Sequence, residues 1–159
     1  MKAASINEIK KELSDKSDSE LQALCMRLAR YKKENKELLT YLLYESYDEA
    51  SYVNSIKADL DEQFDGLPSG NVYFIKKGLR KILRSANKQI KYSGNVQSEL
   101  ELRIYFCSHI TRRHLPLGSS QQLANLYAQQ LKKIDTCLAK LPEDLRFDYA
   151  DDIEQLRKF

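Results

Sequence analysis

Apolar residues recur at three- and four-residue intervals along almost the whole chain, the spacing of helices that each bury one face. Ile6, Ile9 and Leu13 open the pattern. Ser5 with Glu8 makes the Ser-x-x-Glu capping box of a short first helix over 5–14. Ser17 with Glu20 repeats that signal, and Leu21, Leu24, Cys25, Leu28, Tyr31, Leu38, Leu39 and Leu42 then trace one stripe in which Asn35 is the polar intruder. The stripe predicts the longest helix, over about 17–46. Asp48 is placed to cap a third helix carrying Tyr52, Val53, Ile56, Leu60 and Phe64 until Gly66 and Pro68 stop it. A continuous bend from the preceding helix fits the same residues.

Beyond that joint, Val72, Ile75, Leu79, Ile82, Leu83, Ala86 and Ile90 share one side of a helix over about 71–92, which ends at Ser93 and Gly94. Gly78 inside it costs about 1 kcal/mol relative to alanine and marks a place of close packing. Asn95 opens a fifth helix that is apolar over most of its circumference, from Val96 to Ile110, and is therefore expected at the centre. Ser119 with Gln122 signals a sixth, with Leu123, Leu126, Tyr127, Leu131, Ile134 and Leu138 on one stripe before Pro142. An acidic helix over about 148–158 closes the chain. Sustained period-2 alternation is absent and β-branched residues are sparse, so little or no sheet is expected. The pattern predicts an all-α protein: a single domain over 1–159, packed as an antiparallel bundle of about six or seven helices.

Composition agrees with a packed domain. Hydrophobic residues make up 42% of the 159 and charged ones 31%, too apolar for disorder and too interrupted for a membrane span. The first residues show no apolar leader, which leaves the cytoplasm as the expected compartment. Cys25, Cys107 and Cys137 each sit among apolar residues at helical spacing and are expected to be buried free thiols. No metal or cofactor is expected. His109 and His114 lie about 140° apart on a helix, and no Cys-x-x-Cys or glycine-rich phosphate loop accompanies them. Asp148, Asp151 and Asp152 fall on one helical face, but read as a solvated acidic end.

Charge changes the picture more. Residues 72–92 carry seven positive side chains and no negative one, Lys76, Lys77, Arg80, Lys81, Arg84, Lys88 and Lys91; the other 19 basic residues face 23 acidic ones, a net −4. Six of the seven, all but Lys76, fall within about 100° of arc opposite the apolar stripe, with Tyr73 among them and Tyr92 at the edge. Phosphates would meet such a face, with the tyrosines stacking on bases. Neutralisation by the acids at Asp59, Asp61, Glu62 and Asp65, or by those at the C-terminus, is the competing expectation. Arg112, Arg113 and His114 are placed to extend the patch. Tyr41, Tyr44, Tyr47 and Tyr52 form a second candidate, a tyrosine cluster suited to a partner interface or to a half-buried seam.

Two resemblances are carried by short motifs. Ser5 to Leu13 resembles the first helix of a SAP module; the turn after it lacks the glycine of that family, and nothing further is carried over. Arg103 and His109 make an Arg-x5-His pattern similar to that of HEPN-type helical ribonucleases, which implies metal-independent cleavage of RNA. Ile104 stands where that family usually has a polar residue. On the residues alone, His109 reads as a helix-end histidine near solvent and Arg103 as a border of the core. The resulting expectation is a non-enzymatic helical module that binds a protein partner or a second copy of itself. Nucleic-acid binding through the basic helix at 76–91 is the alternative, and a HEPN-like ribonuclease the distant one.

Overall fold

The computed structural model describes all residues, 1–159, and is all-α, with nine α-helices and no strand. They are α1 (Ile6–Ser14), α2 (Asp18–Tyr31), α3 (Lys33–Thr40), α4 (Glu49–Asp65), α5 (Val72–Ser93), α6 (Val96–Arg112), α7 (Gln121–Leu138), α8 (Glu143–Asp148) and α9 (Ala150–Arg157). A π-helical turn covers Tyr41–Glu45 and a 3-10 turn Leu117–Ser119. No helix is long and apolar enough to cross a membrane. The chain divides into two compact units, Met1–Tyr44 and Glu45–Phe159.

In the first unit both capping boxes form: the Ser5 and Ser17 hydroxyls accept from the Glu8 and Glu20 amides, and both glutamates accept from the capping residues in return. The expected helix over 17–46 does not. It breaks at Lys32, whose backbone is extended, and it ends in the π turn. Asn35, the intruder in the stripe, accounts for the break: its side-chain amide donates to the Leu28 carbonyl at 2.8 Å, satisfying an acceptor that a continued helix would have used. α2 and α3 fold onto one another. None of α1, α2 or α3 contains a buried residue. Cys25 is exposed, contrary to expectation.

The second unit holds the core. Tyr52, Val53, Ile56, Leu60 and Phe64 of α4 meet Ile75, Leu79, Ile82, Ala86 and Ile90 of α5 around α6. α6 touches α4, α5, α7 and α9, and its Leu100, Leu102, Phe106, Cys107 and Ile110 are fully or almost fully enclosed. That central placement follows from its apolar circumference. Asn95 caps it by accepting from the Gln97 and Ser98 amides, and Gly94 takes the left-handed conformation, φ 64°, that ends α5. α7 begins without a side-chain cap and is held by packing of Leu123 and Ile134 instead.

Candidate functional site

α5 places its two faces as the periodicity requires. Ile75, Leu79, Ile82, Ala86 and Ile90 are buried, and Lys77, Arg80, Lys81, Arg84 and Lys91 are exposed on the other side. None of these five cations is paired with a carboxylate. Arg80 donates to the Gln122 side chain at 3.2 Å, and Arg84 reaches back to the Arg80 carbonyl at 3.4 Å. Lys76 and Lys88 are half-buried; Lys76 lies over the Tyr73 ring, and Lys88 has a partner within the protein.

Of the acids expected to neutralise this face, Asp61, Asp65 and Glu154 are engaged elsewhere. On α4, Asp61 accepts from the Tyr105 hydroxyl at 2.7 Å and from His109 Nε2 at 2.8 Å, while Asp65 pairs with Arg113. Tyr105 and His109 belong to α6, and Arg113 is the residue that follows it. Near the C-terminus, Glu154 pairs with Lys158 and Asp135 with Arg157. Arg113 is thereby withdrawn from the basic patch that the sequence suggests. Asp148 ends α8 whereas Asp151 and Asp152 begin α9, so the three aspartates do not share a helix.

Beside the cations lies an aromatic pair that sequence reasoning half found. Tyr73 is 58% exposed and Phe74 50%, their rings edge to face at 5.3 Å. Phe74 carries no charge and sits near the boundary of the two faces, which is why periodicity alone did not single it out. With Leu67, Pro68, Lys77, Lys81 and Arg84 it lines a groove of about 450 Å³. Gly78 shapes the groove floor: a Cβ there would come within 2.3 Å of the Leu67 side chain. The close packing expected at this glycine is present.

The tyrosine cluster is split. Tyr41 and Tyr52 are buried, Tyr52 with its hydroxyl donating to Gln89 of α5, whereas Tyr44 and Tyr47 are exposed. The π turn and the residues after it shift the helical phase, so regular spacing no longer puts the four rings on one face.

Arg103 and His109 are both buried, against the expectation of a surface histidine and a border arginine. They point to different neighbours. Arg103 donates to Glu99 on its own helix, to Asn87 of α5 and to Gln130 of α7. His109 stacks on Phe64 of α4 at 4.5 Å and bonds Asp61, and its Nδ1 accepts from Arg113 at 3.4 Å. These bonds fix the neutral tautomer with hydrogen on Nε2. Burial lowers the His109 pKa below its ordinary 6.5, opposed by the Asp61 carboxylate. The two side chains are not brought together on one surface, and each is used up in joining helices. Burial also pushes the Cys107 thiol up to about 12, which keeps it protonated and unreactive.

Searches with family models, among curated proteins and among solved structures find no match to this chain.

Proposed function

We propose that this protein is a non-enzymatic binding module whose α5 face takes up single-stranded nucleic acid, with RNA the first candidate. The observation that carries the reading is the set of five exposed cations without carboxylate partners, with Tyr73 and Phe74 uncovered next to them. Charges left unneutralised on one face raise the local potential and attract a polyanion, and exposed rings give unstacked bases a surface to lie on. The free thiols accord with a reducing compartment and hence with residence in the cytoplasm. A protein partner with an acidic surface is the second reading, favoured by the apolar floor that Leu67, Pro68 and Ile82 give the groove.

Fluorescence anisotropy with a labelled oligouridylate tests the first reading. With three to five phosphate contacts, affinity should fall with salt at a log–log slope of roughly −2 to −3.5 for a single strand. Arg80→Glu combined with Arg84→Glu should abolish binding. Tyr73→Ala and Phe74→Ala should each cost about 1–3 kcal/mol with RNA and leave binding of polyglutamate unchanged. Absence of binding at low salt, or binding indifferent to the charge reversal, contradicts the reading. Ring substitutions that leave RNA affinity intact favour the acidic protein.

A further inference from the structure

We propose that the groove beside α5 takes one base of the bound single strand, and that Gln63 holds the edge of that base. This placement rests on the reading of α5 as a nucleic-acid face. Every charged side chain lining the groove is a cation, Lys77, Lys81 and Arg84, and Gln63 is the one uncharged polar side chain. The others that line it, Leu67, Pro68, Phe74 and Ile82, are apolar. A volume of about 450 Å³, apolar walls and a few placed polar groups are the features of a small-ligand site. A nucleotide matches them in kind: its flat ring lies against Phe74 and the apolar floor, and its phosphate meets the cations at the rim.

The walls are fixed before a ligand arrives. The Leu67 amide donates to the Phe64 carbonyl at 3.1 Å, and the Leu67 side chain lies against α5 where Gly78 leaves room for it. Gln63 is oriented as well, because its Nε2 donates to the Asp59 carbonyl at 3.1 Å, one turn back on α4. That bond leaves the amide one acceptor and one further N–H, the complement of the donor and acceptor that sit side by side on the pairing edge of a base. Preset walls and a preset amide lower the ordering cost of binding.

The cations also set how much strand the face can hold. Lys77 at the groove and Lys91 at the far end of the stripe are 14 residues apart, about 21 Å at about 1.5 Å per residue. A stacked strand carries one phosphate per about 3.4 Å, so the stripe spans about six nucleotides, with the held base at the groove end.

Nuclear magnetic resonance on the full chain tests the placement, with hexauridylate and an abasic hexamer of the same sugar-phosphate chain as probes. Ring currents from a base in the groove should move the Leu67 methyl and Gly78 amide resonances with hexauridylate and not with the abasic hexamer. Gln63→Met, which keeps the length of the side chain, should weaken hexauridylate about two- to tenfold and leave the abasic hexamer unaffected. Affinity for oligouridylates should climb steeply up to about six nucleotides and then level off. The placement is overturned, with the α5 reading intact, if hexauridylate binds but moves Leu67 and Gly78 no more than the abasic hexamer does, if Gln63→Met binds as tightly as the unsubstituted protein, or if affinity climbs as steeply well beyond six nucleotides. Hexauridylate that fails to bind at low salt overturns both, and movement of the same resonances by polyglutamate in that case assigns the groove to an acidic protein.

Discussion

Residues 45–159 contain 24 of the 25 buried apolar side chains, and residues 1–44 contain one, together with 12 of the 17 large apolar side chains that are exposed. The two regions reach helical structure by different means. In the first, α1 and α2 are closed by full capping boxes, and the helices bury no side chain completely. In the second, α7 starts without any side-chain cap, yet it is fixed because Leu123 and Ile134 are completely enclosed. Local signals can set where a helix begins, while tertiary burial supplies most of the stability of a helix in a folded protein. The contrast places the protein's core in the second unit.

The largest expected effect breaks the core of the second unit. Phe106→Ala should cost about 3–5 kcal/mol in urea unfolding, against a change within about 0.5 kcal/mol for Leu28→Ala measured in dilute protein. A Leu28→Ala cost as large as that of Phe106→Ala would erase the difference between the units. Next comes Arg103→Ala, which removes the donor to Gln130, a side chain only 1% exposed; a loss of about 2–3 kcal/mol is expected. Ser5→Ala and Ser17→Ala should each weaken their helix by about 1 kcal/mol. Circular dichroism should show this as lost helicity with no shift of the main unfolding transition, since that transition belongs to residues 45–159.

The smallest effect is a pH dependence. His109 has a lowered pKa in the fold, so the unfolded chain binds its proton more readily, and stability present above about pH 6.5 is lost as pH falls toward the folded value. Unfolding midpoints of the unsubstituted protein should therefore drop between about pH 7.5 and 5.5, and His109→Gln should flatten that stretch. An equally steep profile in the variant would assign the dependence to other groups.

The basic face of α5 was legible from spacing alone because a helix fixes which residues share a side. The same rule identified the stripe from Leu21 to Leu42 but not its environment: periodicity says which side chains lie together and is silent on whether anything covers them. That is why Cys25 was expected inside and lies outside. The break at Lys32 needed one hydrogen bond, from Asn35 to the Leu28 carbonyl, that a polar residue in an apolar stripe hints at without specifying. Whether Asp61 and Asp65 neutralise α5 was open in the sequence, because acids at a helix end can turn to either neighbour. Tyr105 and His109 of α6, with Arg113 directly after it, engage them. The engagement of Asp61 and Asp65 away from the α5 cations is thus a consequence of how α4 and α6 pack.

Hydrogen exchange followed by mass spectrometry on the full chain tests the contrast between the two units most directly. Amides of α4 to α7 should exchange slowly, at the rate of global unfolding, whereas those of α2 and α3 should exchange quickly. Protection in α2 and α3 equal to that of α6 would contradict the account, because those helices would then possess a core of their own.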